Sequence, residues 1–229
     1  VHMYKILRNE KISKSSYLLT IKCPIVIKNA MPGQFIIVMS KEDSERIPLT
    51  IYDYNLDNGT LDLIYQVVGA STKELSENKD AVFAITGPLG KPNEICKNYE
   101  EYKGKRIVYV AGGVGIAPVY PQVKYLKEKG FNIDIIYGAR SKDLLLIKDK
   151  IEQVASKVYY VTDDGTYGEK GFVTDVLKQH INEYDICVAI GPVIMMKNVS
   201  ELTKKYNLKT IVSMNPIMVD GTGMCGACR

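Results

Sequence analysis

The stretch Arg106-Ile-Val-Tyr-Val-Ala111-Gly112-Gly113-Val114-Gly115-Ile116-Ala117-Pro118 decides the fold. Ile107 to Ala111 is an unbroken run of β-branched, aromatic and apolar residues, the pattern of a strand buried on both faces. Glycines follow, and helical apolar spacing then runs over Pro118–Lys129. Proline suits a first helical turn, where its missing N–H costs nothing. Strand, glycine turn and helix in succession predict part of a parallel βαβ unit. Glycines at such a turn let backbone approach a phosphate, and the helix start supplies N–H donors and partial positive charge. The full three-glycine fingerprint is not met, because Pro118 stands where the third glycine would be. A plain strand-to-helix turn is the alternative, and the strand–turn–helix setting favours a nucleotide.

Downstream, strand-like runs at Asn132–Tyr137, Val158–Val161, Asp185–Ile190 and Thr210–Met214 alternate with helical runs. The helices are expected at Pro118–Lys129, Leu144–Ala155, Val173–Asn182 and Val193–Tyr206. This alternation predicts a parallel, doubly wound sheet whose ligand sits beyond the carboxyl ends of the strands. Gly138 and Arg140, Asp163, and Gly191 each follow or end a predicted strand, so together they would rim that crevice. Each is equally readable as an ordinary turn residue. Arg140 could reach a phosphate, stack on a base, or simply be solvated.

Upstream, the first hundred residues read as β structure. Short runs at Tyr4–Arg8, Tyr17–Cys23, Gln34–Met39, Pro48–Tyr54, Thr60–Val67 and Ala81–Thr86 are separated by turn signals such as Asp57-Asn58-Gly59. They predict a small antiparallel barrel, interrupted by one helix near Ala70–Asn78. Polar Lys97–Lys105 reads as a linker. Arg46 before a strand, and Gly69-Ala-Ser71-Thr72 at a helix start, could form a second phosphate site; Ser71 or Thr72 as a simple N-cap is the alternative. The expected organisation is β + α/β: a barrel over 1–102, a Rossmann-like sheet domain over 103–213, and a short cysteine-bearing segment over 214–229. Val1-His2 ahead of Met3 reads as a cloning remnant.

Composition narrows the function. The 229 residues are 46% hydrophobic and 24% charged, with a net charge of +4, so the chain is neither disordered nor strongly basic. No nucleic-acid partner is expected. No apolar run approaches the length of a membrane span. Five cysteines without an export signal point to a reducing cytoplasm. With two histidines in the chain, acid–base side-chain chemistry has little to work with. The C-terminus carries Asp220, Cys225 and Cys228. Their x-x₄-Cys-x₂-Cys spacing matches that of plant-type [2Fe–2S] sites, with aspartate in the first position. Half a zinc site, a redox dithiol and two free thiols are the other readings.

In this order the motifs Arg46-Ile-Pro-Leu-Thr50, Gly69-Ala-Ser-Thr72, Gly112–Pro118 and Asn215–Arg229 resemble the ferredoxin–NADP reductase superfamily over essentially the whole chain. Within it, the chain is similar to electron-transfer subunits related to that of dihydroorotate dehydrogenase. It is more similar still to the small subunits of NADH-dependent reduced ferredoxin:NADP oxidoreductase or sulfide dehydrogenase type. The resemblance implies an FAD-dependent NAD(P)H oxidoreductase subunit working with a larger flavoprotein or iron–sulfur partner. It implies FAD against Arg46, Pro48, Leu49 and Thr50, with Thr50 nearest the reactive edge. Ile64, Tyr65 and Gln66 would line its ribityl or adenine side, and Gly69, Ser71 and Thr72 would hold its pyrophosphate. NAD(H), with NADP also conceivable through Arg140 and Lys142, would lie at Gly113, Gly115, Ala117 and Pro118. A [2Fe–2S] cluster would take Asp220, Cys225, Cys228 and a fourth cysteine expected in a tail beyond Arg229. By the same resemblance, cysteine occupies the Asp220 position in the dihydroorotate type, so Asp220 favours the ferredoxin:NADP oxidoreductase-like or sulfide dehydrogenase-like branch. A dihydroorotate dehydrogenase electron-transfer subunit and a stand-alone flavin reductase are the enzymatic alternatives; a zinc-bearing redox sensor is the non-enzymatic one.

Overall fold

The computed structural model describes residues 3–214 and 218–226. Val1-His2, the Asn215–Ile217 part of the C-terminal motif, and the last three residues, Cys228 among them, lie outside the described residues. Two compact units divide between Asn93 and Glu94, and the C-terminal segment belongs to the first of them.

The first unit is an antiparallel sheet of β1 (Tyr4–Lys11), β2 (Ser16–Lys22), β3 (Phe35–Met39), β4 (Ile47–Asn55), β5 (Thr60–Gln66), β6 (Ala81–Val82) and β7 (Ala84–Leu89). A short helix α1 (Pro24–Ile27) follows β2, and α2 (Ala70–Glu77) follows β5. The strand order β6-β1-β2-β5-β4-β3-β7 puts β6 and β7 at opposite edges, yet only Phe83 separates them in the chain. One continuous stretch therefore serves both edges, which curls the sheet into a near-barrel. The predicted single strand over Ala81–Thr86 is thus two, broken where the Phe83 N–H donates to the carbonyls of Met39 and Ser40. Alternate residues fill the core: Leu19 and Ile21, Ile36 and Val38, Leu49 and Ile51, Leu61, Leu63 and Tyr65. Each such side chain contributes roughly 1.5–3 kcal/mol by leaving water.

The second unit is a parallel sheet in the order β11-β10-β9-β8-β12-β13. Its elements are α3 (Glu94–Lys97), β8 (Ile107–Gly112), α4 (Ile116–Glu128), β9 (Ile133–Ala139), α5 (Lys148–Val154), β10 (Lys157–Thr162), β11 (Glu169–Lys170), α6 (Val173–His180), β12 (Ile186–Ile190), α7 (Val193–Lys205) and β13 (Lys209–Val212). Val108, Val110 and Ile136 pack against Val176 and Leu177 of α6 and Val199 of α7. The alternate residues, Tyr109 and Tyr137 among them, are fully buried on the other face. Residues 94–102, read from the sequence as the end of the barrel domain and the start of a linker, form α3 and a 3-10 turn (Tyr99–Tyr102) that bury Ile95, Cys96 and Tyr102. The predicted helix over Leu144–Ala155 starts only at Lys148, because Ile147 adopts a left-handed backbone with φ 48°.

Burial pushes the thiols of Cys23, Cys96 and Cys187 up to about 12. At pH 8 only about one in 10,000 of each is thiolate, the nucleophilic form. Iodoacetamide at pH 8 is therefore expected to alkylate the exposed Cys225 in the native protein while sparing these three until denaturant is added. Peptide mass mapping reads the result, and native labelling of Cys96 or Cys187 would contradict this core.

Candidate functional site

In the parallel sheet β8 lies between β9 and β12, and the direction of strand addition reverses there. Ligands of open α/β sheets bind outside the carboxyl ends of the strands at such a reversal. Here the 3-10 turn Gly113–Gly115 joins β8 to α4, and Gly191-Pro192 joins β12 to α7. The two turns press together. A Cβ on Gly115 would lie 2.3 Å from the Ile190 carbonyl oxygen, and one on Gly191 would lie 3.0 Å from the Gly112 nitrogen. Both distances are to backbone, which has nowhere to go. Gly113 differs: its φ is +55°, and nothing stands within 4 Å of where its Cβ would be. Packing thus requires glycine at 115 and 191, while the backbone at 113 is turned left-handed beside open space. Two 13-residue helices, α4 and α7, begin at this edge, and each brings the partial positive charge of its N-terminus.

Tyr137 braces this turn, and sequence reasoning did not single it out. Its hydroxyl donates to the Gly113 carbonyl at 3.2 Å and accepts the Leu146 N–H at 2.8 Å. Burial raises the phenol well above its ordinary range, so it stays a donor at any working pH. The available signal was a tyrosine in an otherwise apolar buried strand, since a buried tyrosine hydroxyl needs a partner.

The remaining rim residues gather at the same edge. Gly112 pairs with Gly138 across β8 and β9. Exposed Arg140 and Asp163 follow the ends of β9 and β10, and the Asp163 N–H donates to the Ala139 carbonyl. Ala117 is buried in the first turn of α4, and the half-buried Pro118 accepts the Gln122 side-chain amide on its carbonyl. Lys142 stacks its ammonium 5.8 Å from the Tyr167 ring centre. At the opposite, amino edge of the sheet opens a cleft of about 600 Å³ lined by Lys103, Lys105, Arg106 and Lys129. None of the predicted site residues lies in it.

In the barrel unit, strand alternation splits the predicted flavin set. Leu49 and Tyr65 face the core, where the Tyr65 hydroxyl donates to the Asn9 side-chain carbonyl at 3.0 Å. Their side chains therefore cannot line an outer site. Pro48 and Thr50 take the outer face of β4, beside Ile37 and Phe35 of β3, and Ile64 and Gln66 take the outer face of β5. Arg46 reaches this same face. Its guanidinium donates to the backbone carbonyl of Asp220 at 3.1 Å and approaches the Thr86 hydroxyl at 3.5 Å, while its buried Nε has no partner among the described residues. Gly69 stands as the N-cap of α2 with open space beside it. Neither Ser71 nor Thr72 is the N-cap: Thr72 stands at N3, where its hydroxyl accepts the N–H groups of Val68 and Gly69, and the Ser71 hydroxyl donates to Glu45.

At the C-terminus, Asp220 and Cys225 share one tight loop. The Asp220 carboxylate accepts the N–H of Thr222 at 2.8 Å and that of Cys225 at 3.1 Å. These bonds, that from the Thr222 backbone foremost, favour the ionised carboxylate and hold its pKa below the usual carboxylate range. Among the described residues no three Cys, His, Asp or Glu side chains converge as a metal site. Nor, among them, is any helix long and apolar enough to cross a membrane.

The arrangement has known counterparts. Residues 109–201 match the family model of the oxidoreductase NAD-binding domain. The chain is 49% identical to a protein of Clostridium beijerinckii known as the uncharacterized protein in adh 3'region, covering 99% of this chain and 79% of the relative. It is 45% identical to the dihydroorotate dehydrogenase B (NAD(+)) electron transfer subunit homolog of Thermotoga maritima, covering 98% of this chain and 79% of that one. Among solved structures, it superposes on a chain of the NADH-dependent reduced ferredoxin-NADP oxidoreductase, studied for flavin-based electron bifurcation. That match has a TM-score of 0.88 and 40% identity, covering 100% of this chain and 82% of the other.

Removing the Tyr137 hydroxyl leaves the Leu146 N–H without its acceptor and Gly113 without its brace. Tyr137→Phe is expected to weaken NADH binding about fivefold, in line with a net hydrogen-bond contribution of about 1 kcal/mol. Fluorescence titration with NADH measures this, and an unchanged affinity would remove Tyr137 from the site.

Proposed function

This chain belongs to the NAD-binding oxidoreductase family that includes the dihydroorotate dehydrogenase B electron-transfer subunits, and on that footing we propose the following function. It carries electrons between NAD(H), an FAD held on the barrel, and an iron–sulfur centre on its C-terminal loop, serving a larger flavoprotein subunit. The observation that carries this reading is the glycine turn at the switch point of the parallel sheet. There, backbone is packed too closely for any side chain at Gly115, and Gly113 opens on the start of α4.

The residues fit both nucleotides. For NAD(H), Gly113 and the first turn of α4 offer backbone N–H groups to phosphate, with Arg140 and Asp163 at the rim for ribose and base. For FAD, the unpartnered Arg46 Nε is a buried donor suited to a phosphoryl oxygen, with Pro48, Thr50, Ile64 and Gln66 on the same outer face. Gly69 and Ser71 at the start of α2 would take the rest of the pyrophosphate once Ser71 releases Glu45. When bound, nicotinamide and flavin supply hydride and single-electron chemistry, which is why the chain needs no catalytic acid or base of its own. Its residues bind and orient. Arg46 neutralises charge, Thr50 offers a hydroxyl at the outer face of β4, and the α4 and α7 termini fix the phosphates. Asp220 and Cys225 fit as two ligands of a [2Fe–2S] centre, with Cys228 the third by spacing and a harder oxygen ligand in the first position. NAD(H) is the proposed nucleotide, since Lys142 is engaged with Tyr167. The buried Cys23 and Cys187, neither in a disulfide, suit a cytoplasmic setting.

The purified protein is expected to carry FAD, absorbing near roughly 380 and 450 nm as an oxidised flavin, and to bleach when NADH is added without oxygen. Failure of NADH to reduce bound flavin would contradict the reading. Arg46→Ala is expected to weaken FAD binding about ten- to a hundredfold, the effect of one charge-assisted hydrogen bond of about 1.5–3 kcal/mol. Iron and acid-labile sulfide analysis tests the C-terminal centre; zinc alone would replace it.

A further inference from the structure

We infer that Arg46 is a clasp coupling occupancy of the barrel's outer face to the order of the Asp220–Cys225 loop. The inference rests on the reading above for the identity of the occupant, FAD. A guanidinium carries five N–H donors in a rigid fork. One end of the Arg46 fork, Nη2, holds the Asp220 carbonyl at 3.1 Å. Among the described residues, Nη1 meets only the Met39 thioether, at 3.8 Å, and the buried Nε has no partner. A phosphoryl oxygen can therefore bind one edge of the fork while the other keeps its grip on the loop. Leaving a buried charged donor unpaired is costly, so the site favours an anionic occupant.

The loop is seated on the same patch. A Cβ on Gly221 would lie 2.7 Å from Ile37 Cδ1, on the outer face of β3 next to Pro48 of β4, and Gly221 itself has φ +73°. Asp220 then folds the loop by accepting the Thr222 and Cys225 N–H groups. An anion that fixes the guanidinium removes freedom that would otherwise oppose the Asp220 contact. Linkage makes the effect reciprocal: an ordered loop also tightens the flavin. Arg46 acts here as a positioning residue for the segment that carries the first of the spaced Asp and Cys residues.

Amide hydrogen exchange on the full chain, FAD-loaded and FAD-stripped, tests the clasp. In the wild type, FAD is expected to slow exchange at Thr222 and Cys225 about tenfold, within the usual range of coupling between two sites. Arg46→Lys keeps the charge but loses the fork, so at saturating FAD its loop is expected to exchange at the stripped rate. Gly221→Ala should unseat the loop and weaken FAD a fewfold. Equal exchange in loaded and stripped wild type, or full FAD-dependent protection retained in Arg46→Lys, would overturn the clasp while leaving the flavin reading intact. Failure of the wild type to bind FAD at all would overturn both.

Discussion

The rest of the parallel-sheet unit depends on one close approach, that of the Gly115 backbone to the Ile190 carbonyl. A methyl group there would sit 2.3 Å from a backbone oxygen that two strands hold in place. Because the turn after β8 and the turn after β12 touch, α4 and α7 both start at one narrow edge. The partial charges of their first turns add at that edge and nowhere else in the unit. Tyr137 completes the arrangement from below by holding the Gly113 carbonyl. The shape of this edge is therefore set by backbone packing more than by side chains.

Much of this was legible in the sequence because its causes are local. The short β-branched and aromatic run Ile107–Ala111 fits a strand buried on both faces, and the glycines that follow it fit a turn. The strand ends at Gly138 and Gly191 follow from the same periodicity, and the structure brings them to one edge. The N-terminal barrel was readable from short alternating runs separated by turn residues. What stayed hidden was tertiary. Nothing local tells that Phe83 breaks a strand in two, that a polar stretch buries Ile95 and Cys96, or that the Tyr137 hydroxyl reaches Gly113. α1 and β11, with four and two residues, are too short to leave a periodic signal.

The barrel shows how strand alternation divides the side chains of one motif between two faces. Arg46, Pro48 and Thr50 share the outer face, but Leu49 and Tyr65 alternate inward and belong to the core. Contiguous residues in a strand cannot all face one ligand, since the side-chain period is two. Thr72 likewise is occupied by the start of its own helix, and Ser71 by Glu45, so of the three only Gly69 has open space beside it. Arg46 is reassigned in the other direction. It joins two features that stand 174 residues apart in sequence, and only the fold reveals that they are neighbours.

In the proposed reading a dinucleotide's phosphates rest on the start of α4. Amide chemical-shift mapping with NADH on ¹⁵N-labelled protein tests this most directly. The largest shifts are expected at Gly113, Val114, Gly115 and Gly191. Shifts confined to Lys103, Lys105 and Lys129, around the cleft at the far edge of the sheet, would contradict it.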